Sequence, residues 1–466
     1  MKAHLLFTCF LLQSFVLTAQ FGAQRIISSE TNKAYFSIPL DIDNDGFVDV
    51  LSAQADDWAM VWFRNTDGLG NFAPKQIITD EPSRYISIDF VDMNSDGYKD
   101  ILFLENNPRE VRWIEHLDGA GTFGDEELIY TTNEGFIKSI STFDADEDGD
   151  LDILLNHSGY VNGDKLTWLE NLDGSETYSN EQLLIQGNTE FYPPILEDID
   201  NDGDIDILTS LESYGPSTIV WFENSGNLSF PVEHEILSFQ FLVSDFTSVV
   251  DLQFVDIDSD EMKDVFFETD LEGTAPATGW LKNMGGTGEF GAAQNIIYYS
   301  SYPRFYDLDK DGANDMLGID RQSNLLFWVE NTNALGSFNI VRNISDEIDF
   351  PRDAQAADFD NDGLLDVVSA SLGDDTVAWY KNTGVLGVNE AVVSKVSLYP
   401  NPTSGILYIE NTEPIESATL YNVLGTPIKA YSNPNELDLS EVSEGIYFVY
   451  IRSTSGSIAV RKVMKR

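Results

Sequence analysis

The sequence predicts an all-β protein: a seven-bladed β-propeller of four-stranded blades followed by a small immunoglobulin-like β-sandwich. Three observations carry this. An acidic segment, Asp41-Ile-Asp43-Asn-Asp45-Gly46-Phe-Val-Asp49, recurs in frame from Asp92, Asp144, Asp198, Asp256, Asp307 and Asp358, at intervals of 51, 52, 54, 58, 51 and 51 residues. Each copy is followed by Trp, two residues and Asn, from Trp62–Asn65 to Trp379–Asn382, with His116 replacing Asn in the second copy. Between these marks lie short apolar runs bounded by turn residues, such as Ile101–Leu104 and Ile153–Leu155, with no helical period.

A third mark, an aromatic residue, closes each unit at Phe72, Phe123, Tyr178, Phe230, Phe290 and Phe338. Four strands fit each unit: one ending at the first Asp, one starting at the last Asp, one carrying Trp and one carrying the aromatic residue. Units of this length and composition describe a propeller better than a solenoid. The seventh copy lacks its aromatic strand, but Phe21-Gly-Ala-Gln-Arg-Ile26-Ile27 matches Phe72-Ala-Pro-Lys-Gln-Ile77-Ile78. The N-terminal strand is therefore expected to complete the last blade and close the ring.

The acidic segment has a physical rationale. Side-chain oxygens at positions 1, 3, 5 and 9, with a carbonyl at 7, converge on a hard cation, and Gly at position 6 permits the sharp turn. All donors are oxygens, which favours calcium. The expected ligands are Asp41, Asp43, Asp45 and Asp49; Asp92, Asn94, Asp96 and Asp100; Asp144, Asp146, Asp148 and Asp152; Asp198, Asp200, Asp202 and Asp206; Asp256, Asp258, Asp260 and Asp264; Asp307, Asp309, Asp311 and Asp315; and Asp358, Asp360, Asp362 and Asp366. Up to seven calcium sites follow. The fifth departs from the pattern, because Glu261 stands where the others have glycine.

These loops, within units that also carry Phe-Gly marks such as Phe21-Gly22, Phe123-Gly124 and Phe290-Gly291, resemble the FG-GAP or VCBS repeats, the propeller type also found in integrin alpha subunits. The resemblance covers residues 20–384. After Gly384 the repeat stops, tryptophan disappears and the charge balances, so a linker is expected at 385–395 and a separate module at 396–466. Strand candidates there are Ile406–Glu410, Ala418–Val423 and Ile446–Arg452. Tyr399-Pro-Asn-Pro402, Leu420-Tyr-Asn-Val-Leu-Gly425, Gly445-Ile-Tyr447 and the basic end Lys462–Arg466 are similar to the C-terminal sorting domain of type IX secretion cargo. The resemblance implies contact with the type IX machinery and secretion or attachment to the outer cell surface.

Composition narrows the function. With 79 acidic and 26 basic residues the net charge is −53, which repels phosphate and makes nucleic acid a poor partner. Residues 1–19 read as a signal peptide and contain the only cysteine, Cys9, so the mature chain is held by neither disulfides nor zinc thiolates. No later segment has the ~20 apolar residues of a membrane span.

Gly119-Ala-Gly121-Thr-Phe-Gly124 and Gly286-Thr-Gly288-Glu-Phe-Gly291 match a dinucleotide-binding string, yet both sit in turns between strands, with no following helix to meet a pyrophosphate. Serine elbows, Walker loops and paired-histidine zinc motifs are absent. The connections between second and third strands vary in length, and the link from Phe230 to Asp256 is enlarged around Phe239–Ser248. This variable face is where a glycan or protein ligand is expected, with Trp58, Tyr160 and Tyr214 as candidate contacts. The favoured reading is a secreted or surface-attached calcium-binding recognition or adhesion module. The alternative is an extracellular polysaccharide lyase built on a calcium-rich propeller.

Overall fold

The computed structural model describes residues 20–384 and 397–466 apart from positions 55, 57–58, 81–84, 106–108, 133–134, 160–163, 176, 188, 213–216, 240–246, 272–276, 297–299, 333–334, 411–414, 423–426, 433, 444 and 454–457. The expected signal peptide, the linker, Trp58, Tyr160, Tyr214 and residues 240–246 of the enlarged Phe230–Asp256 link lie outside the described residues. Every regular element among the described residues is a β-strand, and no helix is long and apolar enough to cross a membrane. The chain divides into two compact units, one over Ala19–Gly384 and one including Val385–Arg466.

Among the described residues the larger unit holds seven antiparallel sheets in chain order. Sheet 1 consists of Ala34–Leu40, Asp49–Gln54, Met60–Phe63 and Gln76–Thr79, and each acidic loop lies between a first and a second strand. Sheets 2 to 6 repeat this order; in sheet 4 the first strand is split into Glu190–Phe191 and Ile195–Glu197. Sheet 7 takes Pro351–Ala357, Asp366–Ser371 and Thr376–Tyr380 from its own repeat and its fourth strand, Arg25–Ser28, from the N-terminus.

The N-terminal register matches the internal repeats. Phe21 bridges Asn382 as Phe72 bridges Asn65 and Phe290 bridges Asn283. Arg25 pairs with Trp379 as Gln76 pairs with Trp62.

Second and third strands are buried on both faces, so they read as continuous apolar runs rather than alternating ones. One face of each packs on the preceding sheet and the other on the following sheet. Leu51, Met60 and Trp62 of sheet 1 meet Ile101, Phe103 and Ile114 of sheet 2. On the opposite face, Val50, Val61 and Phe63 meet Phe359, Val368 and Trp379 of sheet 7. Every other neighbouring pair, through sheets 6 and 7, shares a buried cluster in the same way.

The glycines of the two G-x-G-x-x-G strings are explained by this packing. A Cβ on Gly121 would lie 2.5 Å from the Trp62 ring, and one on Gly288 2.3 Å from the Trp221 ring. Gly70 makes the same approach to Trp379, 2.1 Å from a would-be Cβ, so sheet 1 meets sheet 7 as sheet 2 meets sheet 1.

The smaller unit has a three-stranded sheet, Ser397–Tyr399, Ile406–Glu410 and Glu436–Asp438, and a four-stranded sheet ordered Pro427–Ser432, Ile415–Asn422, Gly445–Ser453, Ile458–Lys465. Leu407 and Leu437 of the first share one core with Ala418, Leu420, Val449 and Val463 of the second. Where the sequence predicts strands at Ala418–Val423 and Ile446–Arg452, the observed strands are Ile415–Asn422 and Gly445–Ser453.

The N-terminal strand is bound by core contacts as well as by its ladder. Phe21 is 4% exposed and packs in the cluster of Leu317, Trp328 and Tyr380. Phe21→Ala is expected to lower the unfolding free energy by about 3 to 5 kcal/mol, the cost of a core Phe truncation. Chemical denaturation measures it, and a loss below about 1 kcal/mol would mean that this strand contributes little to the seventh sheet.

Candidate metal loops

Each acidic loop is shaped by its own backbone donors. The position-1 carboxylate accepts the N–H of position 6, as in Asp41 with Gly46 at 3.0 Å and Asp198 with Gly203 at 3.1 Å. The position-5 carboxylate accepts from position 7, as in Asp45 with Phe47 at 2.9 Å. Position 4 takes a left-handed backbone in all seven loops, from φ 53° at Asn44 to φ 62° at Glu147. At position 6, six glycines lie between φ 85° and 103°, and Glu261 adopts φ 72°. That conformation costs a residue with a Cβ about 1 to 2 kcal/mol.

Position 9 is the anchor. In every loop this buried aspartate accepts two backbone N–H groups. One comes from position 2, at 3.1 Å for Ile42 on Asp49 and 3.0 Å for Ile257 on Asp264. The other comes from the residue closing the Trp-x-x-Asn mark, at 2.6 Å for Asn65 on Asp49 and 2.8 Å for His116 on Asp100. His116 keeps this bond because the donor is backbone, which is why the repeat tolerates its side chain. The asparagine side chain adds a second link: Nδ2 of Asn65, Asn331 and Asn382 donates to the position-2 carbonyl of the preceding sheet, Phe359, Ile257 and Leu308, at 2.8–2.9 Å.

Burial pushes these anchors up, to about 7 for Asp49, Asp100 and Asp366, about 6 for Asp152, Asp206 and Asp264, and about 8 for Asp315, while the two N–H bonds pull the other way.

The structure brings the expected ligands together in two patterns. Ligand oxygens of positions 1, 3 and 5 lie within 4.8 Å of one another in Asp41/Asp43/Asp45, Asp256/Asp258/Asp260 and Asp307/Asp309/Asp311. In Asp144/Asp146/Asp152 and Asp198/Asp200/Asp206 the group includes position 9 instead of 5. A hard cation fits this donor set. Asp43 Oδ1, Asp144 Oδ1, Asp258 Oδ1, Asp307 Oδ1 and Asp360 Oδ1 are buried without a hydrogen-bond partner, and a buried carboxylate oxygen is stable only when something positive meets it.

One position escaped the sequence reading: the residue just before the closing Asn or His. It is basic in three repeats, Arg64, Lys282 and Lys381, and each forms ion pairs with positions 3 and 5 of its own loop. In the others it is Glu115, Glu170, Glu223 or Glu330. The signal was available as a charge alternation beside an otherwise fixed mark.

An FG-GAP-like repeat model matches residues 41–103, 92–155, 198–267 and 307–369, each match spanning two consecutive acidic loops. A secretion system C-terminal sorting domain model matches residues 397–466. No curated protein matches the chain. Among solved structures it is similar to the extracellular domain of a putative one-component system from B. thetaiotaomicron, at 12% identity and a TM-score of 0.44, over 95% of this chain and 59% of that one.

The raised anchors give a pH dependence. A carboxyl whose folded pKa lies above its unfolded value stabilises the fold fully below the unfolded pKa, near 3.8 here, and loses that contribution as pH rises through 6 to 8. With divalent cations chelated, the melting temperature of the protein is expected to rise as pH falls from 8 to 5. A flat or falling profile over that range would show that the anchors are ionised at no cost.

Proposed function

Because the chain belongs to the FG-GAP-like repeat family and ends in a type IX secretion sorting domain, which directs it to the medium or the cell surface, we propose that it is a calcium-stabilised recognition propeller. The seven sheets are its blades, the N-terminal strand closes the ring, and residues 396–466 form an immunoglobulin-like sandwich separable from residues 20–384. The observation that carries the calcium reading is the set of buried, unpartnered carboxylate oxygens at loop positions 1 and 3. The twenty-seven carboxylates and Asn94 at positions 1, 3, 5 and 9 are the proposed ligands and anchors, joined by the position-7 carbonyls.

Recognition is proposed for the strand ends away from the metal loops. There the first strands begin, and exposed aromatic residues stand at or beside their starts: Tyr35 at 38%, Phe136 at 48%, Tyr302 at 42% and Phe350 at 47%. Arginine lies over three of them. Arg352 Cζ is 4.3 Å from the Tyr35 ring centre and 5.6 Å from that of Tyr302, Arg321 is 5.0 Å from Tyr302, and Arg109 is 3.3 Å from Phe136. Tyr302 and Phe350 hold φ 54° and 50°, a left-handed backbone that bulky residues rarely adopt. Aromatic faces beside guanidinium groups suit a sugar or peptide that offers both apolar and anionic surface.

Two measurements test the proposal. Melting with calcium is expected to exceed melting with chelator, since each independent site held at a hundredfold over its dissociation constant adds about 2.7 kcal/mol; an unmoved midpoint would remove calcium from the account. Binding of the secreted protein to a panel of neutral and uronate-bearing oligosaccharides and peptides, scored for cleavage as well as retention, tests recognition. Tyr35→Ala with Tyr302→Ala is expected to lower retention of any bound member by about tenfold or more. Retention unchanged in the double variant would place the ligand elsewhere, and cleavage of a panel member would favour the enzymatic reading.

A further inference from the structure

The seven loops are not equivalent, and the difference lies one residue before the closing Asn or His. In the first loop the Arg64 guanidinium bridges Asp43 and Asp45, with Nη2 2.9 Å from Asp45 Oδ2. In the fifth, Lys282 Nζ bridges Asp258 and Asp260, 2.6 Å from the latter. In the seventh, Lys381 Nζ bridges Asp360 and Asp362, 2.9 Å from the latter. The same two positions, 3 and 5, are bridged each time. Thus three loops combine four carboxylates with one fixed cation.

The other four loops have an acid at this place, and it turns toward neutral or basic partners. Glu115 accepts from the Asn94 amide at 3.1 Å, so the single loop with an amide at position 3 is one where a carboxylate would have faced that glutamate. Glu170 accepts from Gln182 at 3.0 Å, Glu223 pairs with His234 at 2.7 Å, and Glu330 accepts from Arg342 Nε at 2.8 Å. The third, fourth and sixth loops therefore present five carboxylates, and Gln182, His234 and Arg342 are supplied by the fourth strand of the same sheet.

We propose that this residue sorts the loops into two classes: the second, third, fourth and sixth bind calcium tightly, and the first, fifth and seventh, already bridged by Arg64, Lys282 or Lys381, bind it weakly. The proposal rests on the calcium reading above. The side chains of Asp43, Asp258 and Asp360 are only 5%, 7% and 7% exposed, and each keeps one oxygen unpartnered beside the one that meets the cation. The basic group thus leaves an oxygen facing the pocket, yet it opposes an incoming dication through a partly buried, weakly screened interaction. Sheets 7 and 1, which meet where the N-terminal strand is inserted, both belong to the self-bridged class. That seam can therefore form before calcium is bound.

Calorimetric titration of the chelator-stripped full chain with calcium is expected to resolve four tight sites and three sites weaker by at least about tenfold. In a protein carrying Arg64→Gln, Lys282→Gln and Lys381→Gln, the weak class tightens toward the strong one. Glu223→Lys supplies the reciprocal test, because it leaves the seam intact and should remove one tight site. Seven equivalent sites, or a tight-site count unchanged by Glu223→Lys, would overturn the sorting while leaving calcium binding in place. Absence of any calcium uptake would overturn both.

Discussion

Everything in the larger unit hangs on a buried carboxylate that two backbone N–H groups hold at the start of each second strand. The Asp49 oxygens accept from Ile42 and Asn65, which ties the loop, the second strand and the end of the third strand at one point. The same pair of bonds recurs down to Asp366 with Phe359 and Asn382. A negative group in a dry position is costly unless charge or hydrogen bonds meet it. Three more acids crowd around it in most loops, so the arrangement is stable only with positive charge nearby. The basic residues Arg64, Lys282 and Lys381 meet that constraint in three loops, and the proposed calcium would meet it in the others.

From the anchor the packing follows. It fixes the Trp-x-x-Asn segment, whose asparagine reaches into the preceding sheet and whose tryptophan leaves room for nothing larger than glycine in the next sheet's turn. Position-4 side chains add a further link between neighbours: Asn44 donates to the Gly119 carbonyl at 3.2 Å and Asn361 to the Gly68 carbonyl at 3.1 Å. The bonds joining sheet 7 to sheet 1 are thus the same in kind as those joining sheet 1 to sheet 2. The first and last parts of the repeat meet through contacts that internal pairs also use, such as Asn201 with Gly286 and Asn331 with Ile257.

The strand order, the loop positions and the N-terminal contribution to the last sheet were legible in the sequence because the repeat prints the same local chemistry seven times. Phe21 could be paired with Asn382 by simple alignment to Phe72 and Asn65. The anchoring role of position 9 was not legible, since a metal ligand and a backbone anchor call for the same residue, aspartate. Arg64, Lys282 and Lys381 lie at a variable position that only the fold brings against the acids of its own loop. The aromatic and arginine group around Tyr302 was also hidden, because Tyr35, Arg321 and Arg352 are far apart in the chain and converge only when sheets 6, 7 and 1 are neighbours. One trace existed: no arginine occurs between Arg112 and Arg304, and four fall within Arg304–Arg352.

Anomalous diffraction from crystals grown with calcium tests the central claim most directly, because it locates each ion at its loop. The account predicts peaks among the loop acids of the second, third, fourth and sixth loops at limiting calcium, beside Asp92, Asp144, Asp198 and Asp307, with each position-9 aspartate still accepting from its two backbone donors. Loops without ions at saturating calcium, or ions bound elsewhere on the molecule, would contradict it.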